Sequence, residues 1–310
     1  MPIWKNVDTK SISPKRMKVA VTGGTGIIGK KLVERLSRNH EIIILSRSFV
    51  KESPKTHGIN YSLEQTDYTI DSLKNIFFNV DAVVHLAALR LQRSLPDNSF
   101  KNVLVDYNVF KACEISSITN IVFSSSRGVY GNNPNIPWTE DSQPSPENPY
   151  SLGKLLSEKS AAYFNQKGLS IKCLRLAQVL SADARKKYML GTFIEDALQG
   201  KELELYANEN QKREYIYVKD VVNGIIAALK KPDIQGIFNL GSGEQISIPE
   251  LAKLIVEKSR GGSEVQQHTP ESDRQENSIM DSGLFHATFD FEINWTIEEA
   301  LADIFNQLNT

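Results

Sequence analysis

Residues 17–29, MKVAVTGGTGIIG, limit the possible folds of this chain more than any other stretch. The apolar run from Met17 to Val21 reads as a buried strand, and Thr22 to Gly29 follow at once as a glycine-rich turn. An amphipathic segment comes next, with Leu32, Val33 and Leu36 on one face and Lys30, Lys31, Glu34 and Arg35 on the other. Strand, glycine turn and helix in that order form the context in which a Gly-x-x-Gly-x-x-Gly spacing points to a bound dinucleotide. Gly23 allows the tight turn, Gly26 lets the backbone approach a pyrophosphate, and Gly29 lets helix and strand pack closely. The pyrophosphate then sits at a helix N-terminus, where free N–H groups and the helix dipole favour an anion. A turn between core elements with no ligand is the plain alternative, and the position of the spacing directly after a strand disfavours it.

The 310 residues suffice for one large core, or for one domain carrying a smaller second one. A net charge of −1 and the lack of a long basic block give no reason to expect nucleic-acid binding. Cys113 and Cys173 are too few for a disulfide framework and lie in apolar segments, so buried free thiols are expected. No metal site is expected. No run approaches the roughly 18 apolar residues of a membrane span. Residues 1–16 lack an apolar core and read as a loose tail, not a secretory signal, and Met17 could be a natural start. These features together lead to the expectation of a cytoplasmic protein.

Strands and helices alternate along the chain. Ile42 to Leu45 read as a second buried strand, ending at Ser46, Arg47 and Ser48. A dinucleotide fold reads the adenosine ribose there, with an acidic residue for the 2′-OH or an arginine for a 2′-phosphate. Arg47 without an acidic neighbour leans toward NADP over NAD, unless it is a solvated charge at a strand end. Residues 53–66 are expected to be irregular, followed by a helix around 70–78. Asp81 to Ala88 give the next strand and its exit loop, where Ala87 and Ala88 are small enough to lie along a flat cofactor. His85 reads as structural. After a long helix near 97–117, Ile121 to Phe123 run into Ser124, Ser125 and Ser126, placing hydroxyls at the ligand-binding edge of an open α/β sheet.

Five prolines make 131–149 a loop. Tyr150 and Lys154 then open a helix and share one face of it. A lone Tyr-x-x-x-Lys is usually a surface pair. After a glycine fingerprint and a serine cluster it is a candidate catalytic pair. One more strand spans 171–176. Beyond it the chain becomes more polar and loop-rich over 181–213, with a helix near 190–199. A strand at 215–218, a helix at 220–230, a short strand at 238–240 and a helix at 248–258 follow, the last with Ser247 as cap and Pro249 in its first turn. Residues 261–277 are polar, and a helix near 296–308 ends the chain.

The segments TGGTGIIG (22–29), HLAA (85–88), SSSRGVYG (124–131), PYSLGK (149–154), REYIYVKD (213–220) and FNLGSGE (238–244) occur in the order found in extended short-chain dehydrogenases/reductases. Over roughly 17–308 the sequence resembles the NAD-dependent epimerase/dehydratase family, and within it the UDP-glucose and UDP-N-acetylglucosamine 4-epimerases. The resemblance implies a doubly wound parallel α/β Rossmann domain over 17–176 and a smaller, mainly substrate-binding α/β domain over 177–310, with segments near 214–242 returning to the first. It places Gly23, Gly26, Ile27, Ile28 and Gly29 at the pyrophosphate, Arg47 at the adenosine ribose, Asp67 near the adenine, and Ala87 and Ala88 beside the cofactor. Ser126, Tyr150 and Lys154 match the catalytic group, with Tyr150 and Lys154 also facing the cofactor. Asn102 matches a common asparagine on the substrate side, and Arg213 and Arg274 match arginines that hold a nucleotide-sugar diphosphate, a task that suits a guanidinium fork. Leu205 and Tyr206 fall near the base. Three departures stand out: Gln178 where many epimerases have asparagine, Val105-Asp106 where the family often has Gly-Thr, and Ser46 in place of the usual NAD-type aspartate.

The implied chemistry is reversible hydride transfer at C4 of a sugar nucleotide through a 4-keto sugar. A free tyrosine titrates near 10, so Tyr150 as base relies on nearby positive charge from Lys154 and the oxidised nicotinamide, while Ser126 orients the reacting oxygen. Related 4,6-dehydratases carry Thr-Asp-Glu where this chain has Ser126-Arg127-Gly128, which argues against elimination and against the related decarboxylases. Two alternatives remain: an NADPH-dependent reductase of a keto-sugar nucleotide, and a non-catalytic NADP-binding regulator. A homodimer is expected through the helix of the Tyr–Lys pair and the one before it, using Val103, Val109, Phe110, Leu155, Leu156, Ala161 and Tyr163.

Overall fold

The computed structural model describes residues 16–48, 61–88, 98–183, 189–207, 210–268 and 277–309. The expected tail at 1–16 lies outside them except for Arg16. In chain order the elements are β1 (Lys18–Thr22), α1 (Ile27–Leu36), β2 (Glu41–Ser46), β3 (Tyr61–Gln65), α2 (Ile70–Ile76), β4 (Ala82–His85), α3 (Asn98–Ile115), β5 (Asn120–Ser126), α4 (Pro149–Asn165) and β6 (Ser170–Leu176). They continue with β7 (Gln178–Leu180), α5 (Met189–Leu198), β8 (Leu203–Leu205), β9 (Lys212–Tyr217), α6 (Val218–Leu229), β10 (Gly236–Leu240), β11 (Gln245–Ser247), α7 (Ile248–Ser259), β12 (Val265–Gln267), α8 (Gly283–Phe289) and α9 (Ile297–Leu308).

Seven parallel strands form one sheet in the order β3-β2-β1-β4-β5-β6-β10. β1 is the middle of the switch: Val19 pairs with Ile42 of β2 on one side and with Ala82 of β4 on the other. Both faces of the sheet are covered, which is why its strands read as continuous apolar runs. The period of two still decides which core each residue enters. Val19 and Val21 pack with Leu32 of α1, Val222 and Ile225 of α6 and Phe285 of α8. Ala20 points the opposite way and packs with Leu73 of α2, Phe110 of α3 and Phe164 of α4. Strand order reverses between β1 and β4, and the crevice outside the carboxyl ends of these strands is where such folds bind ligands.

A mixed three-stranded sheet, β11-β9-β7, carries a third core of Tyr215, Tyr217, Ile194, Leu251, Leu301 and Ile304 under α5, α7 and α9. The short pair β8-β12 lies beside it in sequence order, and β10 returns the chain to the large sheet beside β6. Ser247 and Glu250 cap α7 reciprocally, with Pro249 in the first turn.

Several elements differ from the sequence reading. Tyr61–Gln65 is a strand, not irregular chain: it forms the sheet edge, with Tyr61 and Leu63 turned to the core and Ser62, Glu64 and Gln65 exposed. Edge strands are short and polar, so their apolar signal is weak. β7, β8, β11 and β12 have three residues each, too few to show a period. α8 escaped notice because its apolar pair, Phe285 and Phe289, is one turn long. β9 starts at Lys212, and Val218 opens α6 instead of ending the strand.

Candidate active site

The loop after β1 is shaped by close backbone approaches. Gly23 has φ +69°, and a Cβ there would lie 2.8 Å from the Ala87 nitrogen. A Cβ on Gly29 would lie 2.2 Å from the Gly23 carbonyl oxygen. Gly26 donates its N–H to that same oxygen at 2.9 Å, and as the residue before α1 it offers no side chain to cap the helix. Ile27 and Ile28 form the first turn of α1. Thr22 Oγ1 accepts N–H bonds from Leu86 and Ala87 at 3.1 Å each, which holds the Ala87-Ala88 loop against Gly23. Ser46 ends β2 and the exposed Arg47 follows it. Asp67 is exposed just beyond β3. Its Oδ1 accepts the N–H and hydroxyl of Thr69, and those bonds hold its carboxyl below the usual range. These groups come from the carboxyl ends of adjacent strands, as a dinucleotide laid across the switch point requires.

A cavity opens where β5 and α4 meet. Along β5, Ser124 donates to the His85 carbonyl at 3.3 Å and Ser125 donates to Glu158 Oε1 at 2.5 Å. Ser126 accepts the Gly128 N–H at 3.1 Å and faces a cavity of roughly 300 Å³. The Asn148 side chain accepts the Ser151 N–H at 2.9 Å, capping α4, and Pro149 fills its first turn, so Tyr150 is set at the helix mouth. Ser126, Tyr150 and Arg213 line that one cavity.

Lys154 lies one turn behind Tyr150 and is 2% exposed. Its Nζ sits 4.4 Å from the centre of the Phe123 ring and 3.9 Å from Asp106 Oδ2, and among the described residues no hydrogen-bond partner reaches it. A buried ammonium without an acceptor is expensive, so this position suits a ligand that brings hydroxyl oxygens, as a ribose does. Together with a turn that has no room for side chains, it fits a nicotinamide dinucleotide.

Not every expected residue converges on this cavity. Asn102 is buried within α3. Gln178 begins β7, half-buried, paired with Tyr215. The Leu205 side chain is 1% exposed in the core that holds Ile194 and Leu251, and its carbonyl accepts the His268 N–H. Tyr206 is exposed and stacks on the His268 ring at 4.6 Å. Arg274 lies outside the described residues. Of the expected dimer residues, Val109, Phe110 and Ala161 are core. Sequence reasoning missed Glu147, Asn148, Ser151, Asn277 and Ser278, which also line the cavity, and marked Arg127 only as the place of a dehydratase's acidic residue. Asn148 before Pro149 was a readable helix start. Asn277 and Ser278 follow a polar stretch and carried no signal.

Buried polar groups brace the site from below. Arg175 meets Glu158 at two points and donates to the Tyr130 hydroxyl at 2.8 Å. Burial alone would lower the Arg175 pKa, but the bonds to Glu158 raise it overall. Glu214 accepts N–H bonds from Gly243 and Met280, yet burial pushes its carboxyl up. Burial pushes the Tyr215 hydroxyl up to about 12.

The family model for the NAD-dependent epimerase/dehydratase family matches residues 19–241. A Bacillus subtilis protein described as an uncharacterized UDP-glucose epimerase is 31% identical over 258 residues, covering 77% of this chain and 81% of that one. The crystal structure of UDP-N-acetylglucosamine 4-epimerase from Bacillus cereus matches with a TM-score of 0.84 at 33% identity, over 94% of this chain and 96% of that one. The dTDP-4-dehydro-6-deoxyglucose reductase of Escherichia coli is 28% identical over 255 residues, 76% of this chain and 80% of that one. Among the described residues, no helix is long and apolar enough to cross a membrane.

Proposed function

The chain belongs to the NAD-dependent epimerase/dehydratase family, and from that premise we propose that it is a nucleotide-sugar 4-epimerase acting on a UDP-hexose or UDP-N-acetylhexosamine. The observation that carries this reading is the shared cavity of Ser126, Tyr150 and Arg213, whose next lining residues are Arg127 and Gly128. Elimination needs an acid and a base beside the sugar, and Arg127 and Gly128, at the positions where the related dehydratases carry them, supply neither, although the Glu147 carboxyl also lines the cavity. The 33% identical structure with near-complete coverage carries the name of a UDP-N-acetylglucosamine 4-epimerase.

Gly23, Gly26, Ile27, Ile28, Gly29, Ala87, Ala88, Asp67 and Lys154 are the residues assigned to the dinucleotide. The bound nicotinamide supplies reversible hydride acceptance. Tyr150 takes the proton of the sugar hydroxyl and gives it back, and Ser126 hydrogen-bonds the same oxygen to fix its direction. The Lys154 ammonium supports the phenolate form of Tyr150. Arg213, with Arg274, grips the diphosphate while the sugar turns. Residues 177–310 contribute the sugar and base side, with Asn102, Gln178 and Tyr206 as its further members.

A proton NMR time course with UDP-glucose, UDP-galactose, UDP-GlcNAc and UDP-GalNAc and only catalytic cofactor tests the proposal. Interconversion of a C4 pair without net cofactor consumption is the expected result. No conversion of any pair, with added NAD, overturns it for these sugars. Arg47 favours a second reading, a reductase of a keto-sugar nucleotide that consumes NADPH, because an arginine at this strand end suits a 2′-phosphate. Stoichiometric NADPH oxidation distinguishes it. A homodimer through α3 and α4 completes the proposal: Phe100, Leu104, Tyr107, Leu152, Leu156 and Tyr163 are exposed apolar side chains on these two adjoining helices.

A further inference from the structure

We infer that Asp106 is a positioning residue for Lys154: its buried carboxylate fixes the ammonium behind the site and ties it, through His85 and Thr22, to the loop that carries Ala87. Asp106 on α3 and Lys154 on α4 are 1% and 2% exposed, with Oδ2 and Nζ 3.9 Å apart. Asp106 Oδ1 lies 2.7 Å from His85 Nε2, and the Ser157 hydroxyl lies 2.8 Å from Oδ2. His85 Nδ1 lies 2.6 Å from Thr22 Oγ1. That hydroxyl oxygen already accepts two N–H bonds, from Leu86 and Ala87. Its own proton therefore goes to His85 Nδ1, which leaves the ring proton on Nε2 to donate to Asp106. The relay has one direction: Thr22 to His85 to Asp106, with the carboxylate as its terminal acceptor and Lys154 as the facing cation. It spans β1, β4, α3 and α4, so a displacement of the dinucleotide loop and a displacement of Lys154 are coupled.

Charge supports the same assignment. Burial opposes a charged Asp106, but Lys154, His85 and Ser157 outweigh it and hold the carboxyl below its usual range. The other groups facing Lys154 do not replace this partner. Tyr150 and Glu158 are on its own helix, and Glu158 is committed to Arg175 of β6. Cys173, also on β6, has its thiol pushed well up by burial and stays uncharged. Phe123 offers only its ring face. The inference rests on the reading that Tyr150 and Lys154 serve a bound nicotinamide dinucleotide.

The test compares Asp106→Asn, which keeps shape and removes charge, with Ser157→Ala, which touches Asp106 without removing its charge. NAD binding is followed by tryptophan fluorescence across pH, alongside the pH profile of turnover. For Asp106→Asn the expected result is an NAD Kd at least five-fold weaker at pH 9 than at pH 7. Its alkaline limb of turnover should fall about one unit below that of the unaltered protein, while Ser157→Ala leaves both in place. Equal profiles for Asp106→Asn and the unaltered protein, or the same change in Ser157→Ala, overturn the inference. Where Asp106→Asn does not fold, the Asp106→Asn/Lys154→Met double variant should fold, since no buried charge is left unpaired. A double variant that also fails to fold assigns Asp106 to packing and overturns the inference. The binding arm needs no sugar substrate, so a protein that epimerises nothing can still support it, and an active epimerase with an indifferent Asp106→Asn refutes it alone.

Discussion

Arg175 Nε donates to Glu158 Oε1 at 3.0 Å and Nη2 to Oε2 at 2.7 Å, a two-point ion pair with both side chains 2% exposed or less. It joins β6 to α4, the helix that carries Tyr150 and Lys154, and Ser125 of β5 adds a third bond to the same carboxylate. The pair thus sets the height of α4 over the sheet edge. Removing one partner of a buried pair strands the other, at about 3–5 kcal/mol. Arg175→Met should lose that much stability in urea unfolding. Glu158→Gln should lose at least as much, because Arg175 keeps its charge and one end of the glutamine amide presents donors to it. A loss under about 1 kcal/mol for Arg175→Met would show the pair to be marginal.

The turn after β1 yields a second expectation. A methyl group at Gly29 meets the Gly23 carbonyl oxygen at 2.2 Å, and backbone on both sides cannot yield as a flexible side chain can. Gly29→Ala should destabilise the fold by about 1–3 kcal/mol or more and remove detectable NAD binding. Gly168→Ala is the control: its φ of +98° is strained, but among the described residues nothing beyond its chain neighbours lies within 4 Å of the added Cβ, so its effect should fall on stability with NAD binding retained. Denaturant midpoints and fluorescence titration separate the two outcomes.

Tyr150 carries the proton in the proposed reaction. Positioned acid–base groups contribute roughly 10²- to 10⁴-fold, and Tyr150→Phe should lower turnover by that range while the affinity for UDP-sugar, measured calorimetrically, stays within a few-fold. Retained turnover would remove Tyr150 from the chemistry. Equal loss of binding and turnover would make it a substrate contact instead.

The fold was unevenly legible in the sequence. Gly23, Gly26 and Gly29 were readable because three constraints fall within one short turn next to a strand of unmistakable hydrophobicity. Tyr150 and Lys154 were readable from order along the chain, as was the cap of α7 from Ser247. The burial of the Leu205 side chain was not readable, because a residue at the end of a three-residue strand has no pattern to show which way it faces. Asp106 and His85 could not be paired from sequence: they lie 21 positions apart, on a helix and a strand that meet only through the sheet's crossover. The same holds for Asn277 and Ser278, which reach the cavity from a polar stretch. Residues whose role depends on neighbours distant in sequence were hidden, and those whose role is set by local backbone geometry were not.

The apolar face of α3 and α4 makes a prediction about assembly. Leu156 is 38% exposed and Phe100 62%, on helices that pack side by side. Leu156→Asp should shift a homodimer to monomer in light scattering without moving the urea midpoint by more than about 0.5 kcal/mol, as for a surface change. A monomeric unaltered protein would assign this face to something other than a second copy.

Lys172 makes the last prediction, and its sign follows from burial. It is fully buried in β6, its Nζ bonded to Asn120 Oδ1 at 2.9 Å and to the Lys231 carbonyl at 3.1 Å. Burial lowers its pKa to about 8, only partly opposed by Asp233. Unfolded, a lysine titrates near 10.4. Below about pH 8 both states are protonated, and the folded state bears the whole penalty of the buried charge. Between about 8 and 10 the unfolded chain holds a proton that the folded protein has released, so this group makes stability rise with pH. Lys172→Met removes the titration. The difference in unfolding free energy, unaltered protein minus Lys172→Met, should therefore be flat below pH 8 and climb between pH 8 and 10. A difference that is flat throughout, or that falls, would mean that the two acceptors hold Lys172 charged in the folded protein over the whole range.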